Sequence, residues 1–373
     1  AFVQRIGRAG RSGQKSYAIC VLDPDDAMCH YYSREGKIAS EYIKQEHYTR
    51  INKDNPIISE KHAAATQAEY YTKVNPLTKF GKYNEFAMSI NLRGTSGDLK
   101  LKLSQGRGEN DIEATRDAPA GYYELYQNAL YPYNKRPYQV DSITKTKNGA
   151  QVFLSPSNEK NKKTEPMVVT TLTEKMVEKQ RESESELMSI PIRYGRITIL
   201  RTIVGYYKGD YGREESEAFK GEDIPSWNNF SWSSTHMAIG IVLPSEFVNS
   251  ITSTENSQSK EDPGIHTITH IFVNAAKIVT KAEAVEIEAY YEDGIIYIYD
   301  NTAEGANGCS QMIYENFEKV LEICRDLLTK CDCDKSKDAD WGGCPKCTYT
   351  TGFCLTKNKE LSKQTAKGFF GVL

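Results

Sequence analysis

The stretch CDCDKSKDADWGGCPKC, residues 331–347, decides the fold of the C-terminal part of this 373-residue chain. It contains two short cysteine pairs, Cys331 with Cys333 and Cys344 with Cys347, and ten residues separate the pairs. Zinc prefers four soft ligands in a tetrahedron, and thiolates in two short pairs supply them. The spacing therefore predicts a structural zinc site. Reduced free thiols and an iron–sulfur cluster, which also uses four cysteines, are the alternatives.

The segment 342–347, called the knuckle below, begins with Gly342 and Gly343. These small residues predict a tight turn that lets backbone N–H groups point at the sulfur atoms. Cys354 lies seven residues beyond the second pair and could replace one of the four ligands. Zinc at this place would pin the end of the preceding helix to the C-terminal tail, and it would contribute several kcal/mol to folding. We expect about one equivalent of zinc in the purified protein.

A long amphipathic helix is predicted before the first cysteine pair, with Ser310 as its candidate N-cap. Its apolar side chains recur at spacings of three, four and seven residues: Ile313, Phe317, Val320, Leu321, Cys324, Leu327 and Leu328. Upstream, the pattern predicts strands over 196–207 and 237–243, a helix over 266–279, and a hairpin of 285–291 with 294–299.

Two histidines, His266 and His270, are four residues apart in the helix predicted over 266–279. This spacing can bind a metal ion. No glutamate follows His266 in the pattern that zinc peptidases use, so we favour a structural role for both histidines.

The stretch QRIGRAGR, residues 4–11, resembles motif VI of superfamily 2 helicases, Q-x-x-G-R-x-G-R. Arginine is always charged and offers forked donors to a transferring phosphoryl group, and glycine permits close backbone approach. A generic basic, glycine-rich turn is the alternative. The resemblance implies that Arg8 and Arg11 are catalytic, with Arg11 as the arginine finger. It also implies a set of residues that face the ATP phosphates: Gln4, Gly7, Arg8, Gly10 and Arg11.

The phosphate-binding half of an ATPase site is absent from the sequence, which contains neither a G-x-x-x-x-G-K-[ST] loop nor an Asp-Glu box. We therefore expect the chain to be a piece of a longer ATP-dependent enzyme, cut just before motif VI. By itself it is expected neither to bind ATP tightly nor to hydrolyse it. ATP and Mg²⁺ would belong to the parent protein.

The fold class expected is an α/β end of a RecA-like domain, a helical segment, a small β-rich domain and an α+β zinc-binding domain. A charged run over 174–187 predicts an exposed helix or linker near the last boundary. The corresponding ranges are 1–24, 25–82 (for which a winged-helix arrangement is one option), 83–175 and 176–373.

Composition indicates a globular protein of a reducing compartment, the cytoplasm. Nine cysteines occur without a secretion signal, and no apolar run reaches the length of a membrane span. The net charge of −3 excludes a uniformly basic coat. Residues 133–163 nevertheless carry seven basic and two acidic side chains, or +5, which is a local track for phosphates or a solvated hairpin. Six tyrosines near this segment could stack on bases, but half-buried strand positions are favoured: Tyr122, Tyr123, Tyr126, Tyr131, Tyr133 and Tyr138.

Together, the two motifs and their order resemble the MrfA/YprA-type helicases, whose C-terminal region is the MrfA zinc-binding (MZB) domain. The likeness is carried by residues 4–11, 50–56, 62–64, 131–140, 299–308 and 331–347. This chain departs from the family in having Gly305-Ala306 where the family has two glycines, and in the long gap between its cysteine pairs.

The resemblance implies ATP-driven translocation on DNA, usually 3′ to 5′, in DNA repair or defence. Single-stranded or forked DNA is the expected partner, a partner nuclease is an option, a monomer is expected, and no membrane is involved. Two other functions stay open. One is a zinc-stabilised nucleic-acid adaptor without motor activity, and the other is a helicase subunit of an anti-phage or restriction system.

Overall fold

The structure, a computed structural model, describes the chain in segments. These are positions 13, 15–17, 19, 21, 23, 26–34, 37, 59, 62, 63, 65–67, 69 and 70, followed by 98–104, 114–118, 120–146, 149–184, 189–213, 215–252, 262–283, 285–301, 307–335, 342–351 and 360–372. Residues 4–11, Cys354 and the Gly305-Ala306 pair lie outside the described residues, so the expectations for them stay predictions.

The described elements make a mixed α/β protein. Helices α1 to α7 span Ala27–Ser33, Ala120–Glu124, Ser245–Thr252, Pro263–Thr280, Cys309–Glu315, Phe317–Thr329 and Lys363–Phe369. Strands β1 to β11 span Asp98–Leu103, Ala114–Asp117, Leu130–Tyr133, Arg136–Thr146, Gly149–Pro156, Lys162–Glu182, Pro191–Asp210, Ser216–Lys220, Phe230–Val242, Ile287–Glu292 and Ile295–Asp300. Short 3₁₀ turns occupy Gly221–Asp223 and Asp332–Lys335.

The chain divides into two compact units. The C-terminal unit comprises 1–52, 176–195 and 237–373, and the β-rich unit comprises 53–175 and 196–236. One sheet has the strand order β2-β1-β5-β4-β3, and a second has the order β10-β11-β9-β7-β6 with β8 paired to β7. The domain boundaries predicted from the sequence stay predictions.

In the β-rich unit, buried and exposed side chains alternate along strand β1. In β1, Leu99 and Leu101 are buried while Lys100 between them is exposed, because successive side chains point to opposite faces of a strand. Strand β1 pairs in parallel with β5 and antiparallel with β2. Residues 98–103 and 149–156 therefore form strands within the range 83–175, where β-rich structure is expected.

Helix α4 forms the centre of the C-terminal unit. Asp262 begins it by accepting the backbone N–H of Gly264 at 2.7 Å, and Pro263 stands at the first helical turn. The helix is buried around almost its whole circumference, since it packs against α1, α5, α6 and α7. The helix predicted over 266–279 is thus confirmed. In the described part of the chain, no helix has the length and apolar character needed to cross a membrane.

The hairpin predicted before the last long helix is also confirmed, as β10 paired with β11. Its turn residues Asp293 and Gly294 have φ angles of 50° and 77°. Asp-Gly is a preferred sequence for the tight turn that joins antiparallel strands with positive φ at both central residues.

The prediction of one long helix with Ser310 as N-cap is wrong. Two helices, α5 and α6, are separated at Asn316, whose φ of −121° is not helical and whose side chain donates to the Met312 carbonyl at 2.8 Å. The N-cap of α5 is Gly308, with a φ of 65°. Ser310 is instead the buried second residue of α5, and its backbone N–H donates to Asp300 at 2.7 Å.

The prediction of a helix or linker over 174–187 is wrong for its described part, because β6 continues to Glu182. Charges were dense enough there to suggest a solvated helix. The β-branched residues that precede the segment in β6, such as Val168, Val169 and Thr170, favour extended backbone. Strand β6 lies at the end of the strand order, where charged side chains are tolerated on open faces.

The end of β6 is fastened to the start of α6 by a forked ion pair. Arg181 Nη1 lies 2.6 Å from Glu318 Oε1 and Nη2 lies 3.1 Å from Oε2, and the backbone N–H of Glu184 donates to the same carboxylate at 3.0 Å. Hydrogen bonds from Arg181 lower the pKa of Glu318 from 4.5 to about 2. A carboxyl group whose pKa is lower in the folded than in the unfolded protein stabilises the fold at pH values above its unfolded pKa. That stabilisation is lost as the pH falls through the folded pKa.

We therefore expect Glu318→Gln to cost about 1–2 kcal/mol at neutral pH, since both partners are partly exposed and water screens them. The difference from the native protein should shrink between pH about 4.5 and about 2. Chemical denaturation of both proteins across this range measures it. A difference that stays constant to the acid end would contradict the assignment, and Glu322→Gln, whose partner Lys319 is an exposed side chain, is the matched control.

Candidate metal centre

The four cysteines predicted as zinc ligands come together in the C-terminal unit. Their sulfur atoms all lie within 4.8 Å of one another. Cys331 follows helix α6, Cys333 lies in the 3₁₀ turn behind it, and Cys344 and Cys347 lie in the knuckle. Three of the four side chains are buried, and that of Cys333 is half-buried. The two cysteine pairs, one in 331–335 and the other in 342–347, therefore meet at one point.

The spacing of the sulfurs fits a single tetrahedral ion. Cys331 Sγ lies 3.7 Å from Cys344 Sγ. A tetrahedral zinc ion with bonds of about 2.3 Å places its sulfurs about 3.8 Å apart. A disulfide requires about 2.05 Å, and all four cysteines are free. An iron–sulfur cluster places several atoms between its ligands and needs wider separation. The donor set and its spacing therefore fit zinc.

The electrostatics of the group also favour a cation. Hydrogen bonds from Cys331 and Cys347, with one from the backbone N–H of Lys346, lower the pKa of Cys344 to about 4. A hydrogen bond from Cys347, and a further one from Lys363, lower the pKa of Cys333 to about 7. The same thiol–thiol bonds raise the pKa of Cys347. A dication bound by the four sulfurs would stabilise their thiolate form.

The glycines of the knuckle permit close backbone contact with the C-terminal segment. A Cβ at Gly342 would lie 1.7 Å from the Leu361 carbonyl oxygen, and one at Gly343 would lie 2.6 Å from side-chain atoms of Leu361 and Tyr349. The Gly342 carbonyl accepts the backbone N–H of Lys363 at 3.0 Å. Close approach is therefore one reason for small residues here, in addition to the predicted turn.

Thr348, directly after the knuckle, closes its turn with two hydrogen bonds, and this role was not predicted from the sequence. Its hydroxyl accepts the backbone N–H of Cys344 at 2.6 Å and donates to the Cys344 carbonyl at 3.2 Å. The side chain is fully buried. A threonine one residue after a C-x-x-C pair is the sequence feature that could have indicated it, because such hydroxyls often close local turns.

One face of helix α4 carries a row of polar side chains, called the polar stripe below. Each member donates to a backbone carbonyl: His266 to Glu360 at 3.4 Å, His270 to Thr348 at 3.1 Å, Asn274 to Tyr349 at 2.8 Å, and Lys277 to Thr351. The spacings of four, four and three residues place all four on one helix face. The stripe therefore holds the chain that follows the knuckle against α4.

The two histidines are structural, as favoured from the sequence. Nδ1 of each faces a carbonyl oxygen, which only accepts, so Nδ1 carries the proton. Among the described residues, the group of metal-ligand type contains cysteines alone. At the end of the stripe, burial lowers the pKa of Lys277 to about 8.

The tyrosines near the basic segment pack in or against the core of the β-rich unit, which is the interpretation favoured from the sequence. Tyr122, Tyr126 and Tyr131 are buried in the core of the β-rich unit, and the rings of Tyr122 and Trp232 lie 5.1 Å apart. The basic segment is also partly neutralised, since Lys162 pairs with Asp210 at 3.0 Å. These observations favour the structural interpretations of both features.

Fold and site together define a mixed α/β protein with a four-cysteine metal-binding domain. Residues 268–348 match the family model described as the MrfA Zn-binding domain, which includes all four cysteines. The chain therefore carries an MZB domain, and its resemblance to the C-terminal part of MrfA-type helicases is confirmed.

A curated relative extends this assignment. The chain is 36% identical over 112 residues to the uncharacterized protein MJ1572.1 of Methanocaldococcus jannaschii, covering 92% of that protein and 27% of this chain. The chain belongs to the same family as that protein.

Solved structures of the DUF1998 helicase MrfA are also similar. With MrfA bound to DNA the TM-score is 0.48 at 15% identity, over 93% of this chain and 46% of that one. With MrfA bound to DNA and AMPPNP it is 0.43 at 13% identity, over 92% and 44%. The chain thus spans less than half of the MrfA structures. Because these scores are below 0.5, the family assignment rests on the domain and the curated relative.

Proposed function

We propose that this chain works as the C-terminal part of an ATP-dependent DNA helicase or translocase of the MrfA type, and that zinc stabilises its MZB domain. The observation that carries the proposal is the convergence of Cys331, Cys333, Cys344 and Cys347 inside the region that matches the MZB model. MrfA, whose name the domain bears, has been captured with DNA and with AMPPNP, which are the ligands that such a motor uses.

Zinc would have a structural role in this domain. Four protein thiolates fill the tetrahedral coordination shell and leave no open position for a substrate or water. The ion would tie the end of α6 to the knuckle. Thr348, directly after the knuckle, contacts the polar stripe of α4, and Gly342 in the knuckle contacts Lys363 at the start of α7. Its contribution is a cross-link between these elements.

The ATPase part of the proposal rests on residues 4–11. Arg8 and Arg11 would act on the transferring phosphoryl group, and Gln4, Gly7 and Gly10 would shape the contact with ATP and Mg²⁺ in the whole enzyme. Action on single-stranded or forked DNA in the 3′ to 5′ direction, a role in DNA repair, a cytoplasmic location and a monomeric state belong to the same proposal. A partner nuclease is an optional addition.

The test uses the protein extended by its upstream coding sequence. Arg11→Ala should lower DNA-stimulated ATP hydrolysis by about 10³-fold or more, because a missing arginine finger has effects of this size. Arg5→Ala is the matched control, since the motif leaves this position open. Turnover that survives Arg11→Ala, or ATP hydrolysis by the 373-residue chain alone, would contradict the motor assignment. Absence of a P-loop upstream would favour the adaptor.

A further inference from the structure

Lys363 is a buried lysine that lies against the four-cysteine group. It stands in the first turn of α7, only 8% of its surface is exposed, and its Nζ lies 2.6 Å from Cys333 Sγ. Lysine is among the residue types that proteins bury least, because an ammonium group loses its hydration and needs an anionic partner in return. A thiolate of Cys333 is such a partner.

The position of Lys363 is fixed by contacts of its own backbone and that of its neighbour. Its N–H donates to the Gly342 carbonyl of the knuckle at 3.0 Å. The preceding N–H, of Ser362, donates to the Thr267 hydroxyl of α4 at 2.7 Å, and the Ser362 side chain caps α7. The knuckle and α4 therefore hold the start of α7 in the place from which the lysine reaches the sulfur.

The contact between Lys363 and Cys333 would help to balance the charge of the zinc site. One divalent ion with four thiolates carries a net charge of about −2, and burying such a charge is costly unless a counter-charge lies nearby. Lys346, a second lysine near these sulfurs, has a 45% exposed side chain and pairs with Asp332 at 3.0 Å. Water screens that exposed pair, whereas the buried ammonium of Lys363 acts through a medium of lower dielectric constant.

Cys333 is the ligand that most needs such protection. It is half-buried, whereas the other three cysteines of the group are buried, so solvent and competing chelators reach its sulfur first. A hydrogen bond from an ammonium group draws electron density from a thiolate and makes it less reactive toward protons and electrophiles.

We propose that Lys363 is a positioning residue of the zinc site, which offsets part of the charge of the thiolates and slows the loss of zinc at Cys333. The proposal rests on the zinc site proposed above. Partners that hold metal ligands in this way typically change metal affinity by about 10–100-fold when they are removed.

The test compares the native chain with Lys363→Met, Lys363→Gln and Lys363→Arg, each loaded with one equivalent of zinc. Zinc affinity is measured by competition with a chromogenic chelator, and the release rate is measured in excess chelator. We expect Lys363→Met to bind zinc about 10–100-fold more weakly and to release it faster by a similar factor. Lys363→Arg should recover most of the affinity, because it keeps the charge.

The control is Lys319→Met, which removes an exposed lysine of α6 that pairs with Glu322 at 2.8 Å. It should match the native chain in both measurements. If Lys363→Met does not fold, Lys363→Gln carries the test, since it keeps a hydrogen-bond donor without the charge and should still lose about tenfold.

Two outcomes separate the two proposals. A native chain that binds no zinc would overturn the zinc site and the role of Lys363 together. Native zinc binding with Lys363→Met and Lys363→Gln unchanged within about twofold would overturn the role of Lys363 alone.

Discussion

Replacing Cys344 by serine is expected to reduce bound zinc from about one equivalent to almost none and to unfold much of the C-terminal unit. Cys344 supplies a buried sulfur, and the Thr348 hydroxyl closes its backbone into the knuckle. Serine is a poor ligand for zinc, and three remaining thiols leave the ion open to water. The loss should be about 5 kcal/mol or more, which is comparable with the whole folding free energy of a domain.

Metal analysis of the purified protein and thermal unfolding with and without a chelator measure this effect. Chelation of the native protein should reproduce the Cys344→Ser behaviour, and added Zn²⁺ should restore stability. Mg²⁺ should not, because it prefers oxygen ligands. Cys29→Ser is the matched control, since Cys29 is half-buried, free, and donates to Asp26 at 3.3 Å outside the group. An unfolding temperature that chelation leaves unchanged would refute a structural metal.

The second large effect is expected for Phe272→Ala at the centre of α4. Phe272 is fully buried, and its ring lies 6.1 Å from Phe317, 6.3 Å from Phe369 and 5.3 Å from Phe370. Removing it deletes contacts with both α6 and α7 and leaves a cavity that neighbouring rings cannot fill. Truncations of this kind typically cost about 3–5 kcal/mol.

Denaturant unfolding followed by circular dichroism measures the loss. Phe247→Ala is the graded control, because Phe247 is only half-buried, although its ring lies 4.9 Å from Phe369. Its cost should be clearly smaller. Equal costs for the two variants would show that the aromatic cluster is not the centre of this core. Zinc binding by folded Phe272→Ala should persist, since Phe272 is not among the metal-site residues.

The cysteine group could be predicted from the sequence because the two ligands of each pair are separated by only one or two residues. Two ligands of a pair are neighbours along the chain, so the pattern is visible without the fold. Helix α4 could also be predicted, because Ile268, Ile271, Phe272 and Ala275 recur at helical spacings.

The role of Lys363 could not be predicted from the sequence, because fifteen residues separate it from Cys347 and only the fold brings its ammonium to Cys333. The break at Asn316 was also hidden, since the apolar pattern continues through it and only the side-chain bond to Met312 reveals it. Local charge density misled the prediction for β6, where strand pairing outweighed the local signal. Contacts that the linear sequence pattern does not reveal decided all three features.

The polar stripe on α4 holds main-chain oxygen atoms, and every amino acid has one. Asn274 and Lys277 contact the carbonyls of Tyr349 and Thr351, whatever side chains stand at those two positions. These contacts of α4 therefore depend on where each carbonyl lies along the chain and not on which side chains the segment carries. Substitution at these positions leaves every oxygen in place, whereas insertion of one residue displaces each oxygen from its donor. We therefore expect the length of this segment to matter more for its contacts with α4 than the identity of its side chains.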